Sequence, residues 1–292
     1  MKASIVVINY NDRLRIQRAI DSALNQTWKD TEVIVVDDGS DKETRKIYKQ
    51  FKSRIKFLQL ERGDRAVRSP SMARNAGIGA ATGDFISFLD SDNYIENTFV
   101  EEMMKKDTDV CFCDWEIVGK QSYAVNISNV WDMNLIASSG GVGILQNYIQ
   151  FTHLDHQCLL IRKKYLDKIG VYDLRLPRSQ DCDMIVRLIL GGGEWSYVPK
   201  KLFVFEKHED DQMKVYASIH GKTLWSLKNN INIRWLFQVV QNDPMRIMAF
   251  LKAIEDFRTL PEWKAAFDVS DFSKVWDDTV SIIKNEKKEK CT

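Results

Sequence analysis

Gly83-Asp84-Phe85-Ile86-Ser87-Phe88-Leu89-Asp90-Ser91-Asp92-Asn93 sets an apolar, aromatic run directly against two carboxylates. Phe85–Leu89 has the length and composition of a short buried strand. Asp90 and Asp92 stand one residue apart at its exit. Carboxylates there are costly without a partner. A hard divalent cation carrying a phosphate oxygen would supply one, because such ions take oxygen ligands and complete their shell from substrate. An exposed Asp-rich turn capping the next helix gives the same pattern, so the rest of the chain decides.

Upstream, apolar runs alternate with helical spacing. Ala3–Ile8 reads as a buried strand that runs into the polar loop Asn9-Tyr10-Asn11. Leu14–Leu24 has helical spacing through Leu14, Ile16, Ala19, Ile20 and Ala23. Glu32–Val36 is a second strand closing in Asp37-Asp38-Gly39-Ser40, Lys42–Phe51 a second helix, and Ile55–Leu60 a third strand. This alternation predicts a parallel, doubly wound α/β sheet. Such sheets bind ligands outside the carboxyl ends of their strands, where Tyr10, Asp38 and Asp90 all fall. Tyr10 is a rim aromatic or stacks on a base. Asp38 begins an Asp-Gly turn or accepts the imide N–H of uracil. Together, at successive strand ends, they favour a nucleotide.

Pro70 suits a helix start, and the small residues of Ala73–Ala81 suit a closely packed helix. Arg74 at its beginning is either a solvated side chain or a fork for a diphosphate. Gly77 and Gly79 do not complete a Gly-x-Gly-x-x-Gly pattern, which argues against a nicotinamide enzyme.

The 292 residues carry 44% hydrophobic and 28% charged residues and a net charge of +1. That mixture buries a core and sets up no field favouring nucleic acid or an anionic membrane. Ala3–Ile8 is too short for a signal peptide, and Arg187 breaks the apolar run Met184–Leu190 well below membrane-spanning length. The five cysteines, odd in number and scattered, show neither zinc spacing nor a disulfide framework, so a reducing, cytoplasmic compartment is expected.

The second half begins with a strand over Thr108–Val118. The glycine-rich stretch Gly119–Asn147 reads as a mobile loop of the kind that sets substrate choice. His153 and His156 either line the acceptor site or are satisfied structural histidines, the commoner case. Cys158–Ile161 is a strand, and a helix carrying Tyr165, Leu166 and Ile169 ends at Gly170. Asp181 and Asp183 open the next helix, where acidic side chains also suit the helix dipole. Trp195–Val198 and Leu202–Phe205 are expected as final strands, followed by Lys207-His208-Glu209-Asp210-Asp211. From Val215 the composition shifts to helical spacing, with tryptophans at 225 and 235. These suit packing onto the first domain, a dimer surface, or contact with a membrane bearing a lipid-linked acceptor. The mixed-charge end over 284–290 makes a poor anionic-membrane anchor.

Four segments, in order, carry a resemblance: Val6–Asn11, Val35-Val36-Asp37-Asp38-Gly39-Ser40, Ala73-Arg74-Asn75-Ala76-Gly77 and Phe88-Leu89-Asp90-Ser91-Asp92. Together they resemble the family-two, inverting glycosyltransferases of GT-A fold. The resemblance implies a mostly parallel mixed sheet flanked by helices over residues 1–212. Residues 1–95 would form the nucleotide-sugar half and 96–212 the acceptor half, with a helical extension over 213–292. It implies a nucleotide-sugar donor, Tyr10 and Asp38 at the base, Asp90 near the ribose or sugar, and Asp92 on a Mn2+ or Mg2+ ion. His208, which on its own also reads as a surface histidine in a charged turn, resembles the family's histidine after the last strand, as a further metal ligand or a diphosphate contact. Asp181, Asp183 and Arg187 match the family's Glu-Asp-x-Asp helix start, with Gln180 in place of the Glu, which makes Asp181 the expected catalytic base. The expected acceptor is a saccharide or a lipid- or protein-linked glycan. A nucleotidylyltransferase would want a glycine-rich phosphate loop near Asn9–Leu14, which is missing. An inactive sugar-nucleotide-binding module would have lost Asp92 or Asp181, and both are present.

Overall fold

The structure is a computed structural model that describes residues 1–61, 70–119, 123–129, 154–174 and 180–206, with Met133, Ile136 and Ile144. The chain divides into two units, Met1–Glu209 and Asp210–Thr292. The second unit lies outside the described residues, and so do the helices expected there, His208 and His153.

Among the described residues, the first unit is built on one nine-stranded sheet. Its centre is β1 (Ala3–Asn9), buried at every position. β2 (Thr31–Asp37) and β4 (Phe85–Asp90) flank it, both parallel to it, and β3 (Lys56–Gln59) extends the sheet beyond β2. Central parallel strands are apolar throughout rather than alternating, which is why Ile5, Val6, Val7 and Val33–Val36 run without polar interruption. Between the strands come α1 (Ile16–Leu24), α2 (Lys42–Tyr48) and α3 (Pro70–Ala80). α1 starts later than its apolar spacing suggests: Leu14 is 88% exposed, and the buried stripe is Ile16, Ala19, Ile20 and Ala23. α3 lies so close to β1 that a Cβ on Gly77 would collide with the Val6 side chain, which accounts for the small residues of that helix.

The other half departs from an all-parallel sheet. After the short β5 (Tyr94–Ile95) and α4 (Phe99–Met104), β6 (Val110–Val118) pairs with the hairpin partner β7 (Tyr123–Val125). β8 (Leu159–Arg162) inserts antiparallel between β4 and β6. α5 (Lys163–Ile169) and α6 (Gln180–Leu190) follow. The two expected final strands are one, β9 (Trp195–Glu206), parallel to β6 and antiparallel to β5. Its register on β6 jumps from Cys113↔Val198 to Asp114↔Lys201, so Pro199 and Lys200 fall in an irregularity. Proline cannot donate to a ladder and is tolerated at such bulges. The full order is β3-β2-β1-β4-β8-β6-β9-β5, with β7 on β6. The chain leaves β1 for β2 and β3 on one side and returns to β4 on the other. The sheet's switch point is therefore at the carboxyl ends of β1 and β4. No helix among the described residues is long and apolar enough to cross a membrane.

Candidate active site

Strand register brings three expected site segments to one height. Asn9 pairs with Asp37 and Ile8 with Asp90, so Tyr10 is level with Asp38 at the rim, two steps beyond the acidic turn's start at Asp90. The loops are knitted together. Asp38 N donates to Asn9 O at 2.8 Å and Ser91 N to Ile8 O at 3.1 Å. Asn11 N donates to Ser40 Oγ at 2.9 Å, and Asp41 N to Asn11 Oδ1 at 2.8 Å. Gly39 at φ 78° and Asn11 at φ 53° make these bends, a region Gly and Asn tolerate best.

Asp37 is fully buried and spoken for. It accepts from the Tyr48 hydroxyl at 2.7 Å and Ser40 N at 2.9 Å, while Asn9 Nδ2 donates to that hydroxyl at 2.6 Å. Burial pushes the Tyr48 hydroxyl well up, and the Asp37 charge adds to it. Asp37 is thus a brace, and Asp38 and Tyr10 are half-buried at the rim.

The turn after β4 is held from several directions. Arg74, 3% exposed, sets Nη2 2.8 Å from Asp90 Oδ1 and 3.1 Å from Oδ2. Burial works against the guanidinium's charge, but Asp90, with Tyr172 and Asp181, holds its pKa above the usual range. Arg74 is therefore not a solvated arginine: a buried guanidinium requires a counter-charge, and Asp90 supplies it at Nη2, while Nε and Nη1 have no hydrogen-bond partner among the described residues. Gln157, 2% exposed, accepts from Asp90 N at 2.8 Å and Asn93 Nδ2 at 3.1 Å. Arg18 Nη2 donates to Asp92 O at 3.3 Å, and Asn93 Oδ1 accepts from Glu206 N at 3.1 Å. Asp92 itself is half-buried.

A second cluster faces Arg74 from the other half. Its members are Asp155 and His156, in the turn before β8, and Asp181 in the first turn of α6. Among the described residues this is the group of acidic and histidine side chains that could hold a metal ion, with one ligand atom from each within 4.8 Å of the others. Burial, then Asp181 and Asp90, push the Asp155 carboxyl up, although His156 opposes this. The buried Tyr172 hydroxyl is pushed up by burial despite Arg74, and by the same three acids. Tyr172 is clamped to α3 by two hydrogen bonds: Asn75 Nδ2 to its carbonyl at 2.8 Å and its N–H to Asn75 Oδ1 at 2.9 Å. Asp183, 1% exposed, is engaged by Arg187 Nε at 2.8 Å, and Arg187 also donates to the carbonyls of Ile169, Gly170 and Val171.

The structure thus gathers Tyr10, Asp38, Arg74, Asp90, Asp92 and Asp181 in the first unit, while the expected second metal ligand, His208, lies outside the described residues. His156 is not a satisfied structural histidine: it is 2% exposed, and neither ring nitrogen has a hydrogen-bond partner. Gln157 and Tyr172 were not singled out from sequence. The only local signal for them was their place beside an acidic residue: His156-Gln157 follow Asp155, and Tyr172 precedes Asp173.

The glycosyl transferase family 2 profile matches residues 4–170. The putative glycosyltransferase EpsH of Bacillus subtilis is 34% identical over 118 residues, 38% of this chain and 33% of that protein. Glycosyltransferase GlyA of Streptococcus pneumoniae serotype 4 is 34% identical over 108 residues, 36% of this chain and 15% of that protein. The uncharacterized glycosyltransferase RP339 of Rickettsia prowazekii is 30% identical over 189 residues, 62% of this chain and 56% of that protein. The matches to these curated relatives thus span between 15% and 56% of the relatives' lengths. Among solved structures, S. aureus TarS 1-349 in complex with UDP-GlcNAc superposes with a TM-score of 0.60 at 21% identity, covering 93% of this chain and 80% of that one. The uncomplexed TarS 1-349 gives 0.59 at 19%, covering 93% and 77%. The fold is that of these GT-A proteins, and the chain belongs to glycosyl transferase family 2.

Proposed function

We propose that the chain transfers a sugar from a UDP-sugar, with inversion, to a hydroxyl of a saccharide or glycan acceptor. The observation that carries this reading is the convergence of Tyr10, Asp38 and the Asp90-Ser91-Asp92 turn at the carboxyl edge of the sheet, with Asp181 opening a helix from the other half. Tyr10 stacks on the base and Asp38 accepts the uracil imide N–H. Asp90, fixed by Arg74 and Gln157, meets the ribose or sugar. Asp181 takes the acceptor's proton. The TarS structures with UDP and UDP-GlcNAc are compatible neighbours.

The family implies a divalent ion, Mn2+ or Mg2+. The donor set suits a hard ion that draws most of its shell from phosphate and water: the half-buried Asp92 carboxylate stands on a turn whose backbone is pinned by Arg18. Asp92 would hold it, with His208 as a second ligand. When bound, the ion neutralises charge on the leaving diphosphate. We further read residues 1–212 as a catalytic domain working in the cytoplasm, and 213–292 as a helical extension, with membrane contact and self-association as open alternatives for its role.

The test is a screen of UDP-, GDP- and dTDP-sugars for ion-dependent thermal stabilisation and hydrolysis. With a transferring acceptor, proton NMR then reads the anomeric configuration of the product. Preference for a UDP-sugar and an inverted product support the proposal; a retained configuration overturns the mechanism.

A further inference from the structure

Asp155, His156 and Asp181 bring an imidazole and two carboxylates to within 4.8 Å of one another. His156 is the informative member. Its ring is 2% exposed, and neither Nδ1 nor Nε2 has a hydrogen-bond partner. A neutral imidazole offers one donor and one acceptor nitrogen, and a buried polar group left unsatisfied calls for an explanation. Asp155 does not satisfy it. Its Oδ1 is 3.3 Å from Nδ1, in contact but without the direction of a hydrogen bond.

The ring is also held still. Phe88 lies 6.1 Å from it at 47°, and Tyr172 lies 6.1 Å from it at 80°. A ligand atom locked by its packing loses little on binding an ion. The site is reachable from outside through Asp155, whose side chain is 29% exposed, and through the half-exposed Asp181. The nearby buried cation, Arg74, is already committed to Asp90.

We propose that Asp155, His156 and Asp181 form a second cation site, distinct from the one expected at Asp92, that takes Zn2+ and switches transfer off by occupying the base. One imidazole nitrogen and two carboxylates with an open fourth position form a mixed donor set that suits Zn2+. Mg2+ and Mn2+ prefer the oxygen-rich environment of the acidic turn and a diphosphate. The lone pair that Asp181 gives to a cation is the one it would use to accept the acceptor's proton. The switching half rests on the reading of Asp181 as base; the binding half does not.

The experiment uses full-length protein stripped with chelator. Zn2+ is titrated by calorimetry without nucleotide, and transfer is measured in Mn2+ with rising Zn2+. A Cys182→Ser background removes the thiol adjacent to Asp181. One Zn2+ per chain is expected, weakened at least tenfold by His156→Gln and by Asp155→Asn, each checked for native circular dichroism. Inhibition should share the midpoint of binding and shift with it in both variants. Zn2+ affinity unchanged in both folded variants, or no Zn2+ binding by the unsubstituted protein, overturns the site. Binding that depends on His156 but leaves transfer intact overturns the switch and points to a base other than Asp181.

Discussion

Arg74 Nη2 reaches both carboxylate oxygens of Asp90, at 2.8 and 3.1 Å, from a guanidinium that is 3% exposed. The pair joins α3 to the end of β4, so the acidic turn is anchored to the helix that packs on β1. Removing one partner strands the other's charge. Arg74→Ala should cost about 3 kcal/mol, the low end of the range for breaking a buried pair, because the Asp90 side chain keeps 30% exposure. Urea unfolding measures this. The double substitution with Asp90→Asn should recover part of the loss; strict additivity would mean the two residues do not interact.

A second pair lies at the opposite edge of the sheet. Glu32 accepts from Ser4 Oγ at 2.6 Å, Thr82 N at 2.6 Å and Lys2 Nζ at 3.0 Å. Burial alone would raise its pKa, but these hydrogen bonds win and hold it down from 4.5 to about 2. A depressed carboxylate contributes stability that is present above its unfolded value and lost as pH falls through its folded one. The window is therefore pH 4.5 down to about 2, and the contribution, reduced by solvent screening of these partly exposed partners, is about 1–2 kcal/mol. Glu32→Gln should be less stable than the parent at pH 7 by up to that amount. The two should converge as pH approaches 2. Parallel stability curves across that window would remove Glu32 from the acid limb.

The parallel centre of the fold was legible because its strands are continuous apolar runs closed by polar turns, so Tyr10, Asp38 and Asp90 could be placed at strand ends before any coordinates. Strand direction was not: β8 has the same composition whether it runs parallel or antiparallel, and only its antiparallel pairing to Phe85 and Ile86 reveals it. β9 looked like two strands because Pro199 sits where the ladder shifts register. The second cluster was hidden for a different reason. His156 meets Asp181 only through the folding of α6 against the turn before β8, and no spacing along the chain encodes that approach. Gln157 reaches Asp90 across 67 positions, and a glutamine carries no local signal of such a partner.

That glutamine yields a third expectation. Gln157→Leu leaves Asp90 N and Asn93 Nδ2 without the acceptor at 2.8 and 3.1 Å. It should destabilise the protein by about 1–3 kcal/mol. If the turn positions the donor, kcat/KM should fall by about 100-fold, as small displacements of catalytic groups do, while Gln157→Glu keeps an acceptor oxygen and retains more activity. Equal activity in Gln157→Leu and the parent would make the contact structural only.

Asp38 stands level with Tyr10 at the rim, and its fully buried neighbour Asp37 is taken by Tyr48 and Ser40. Asp38→Ala should weaken UDP binding by about 1–3 kcal/mol, the cost of losing one partner of a charged hydrogen bond. Calorimetry with UDP reads it directly. Unchanged affinity would move the base away from Asp38.

The last prediction concerns the proton. An inverting transfer is a single displacement, so the acceptor hydroxyl must lose its proton as it attacks, and a positioned carboxylate can take it. The leaving diphosphate belongs at the acidic turn after β4, so the base has to come from another segment. Asp181 and Asp183 are the two acids in the first turn of α6. Asp183 is 1% exposed and held by Arg187 at 2.8 Å, in a pair that also ties the helix to the carbonyls at 169–171. Asp181 is half-exposed, beside Asp155 and His156, and close enough to Arg74 to add to its charge stabilisation. Asp181→Asn should keep the fold and the UDP affinity and lose turnover by about 10²–10⁴-fold. Asp183→Asn should instead lower thermal stability by loosening Arg187. A dead Asp183→Asn of native stability beside an active Asp181→Asn would exchange the two roles, and two active variants would mean the proton leaves by another route.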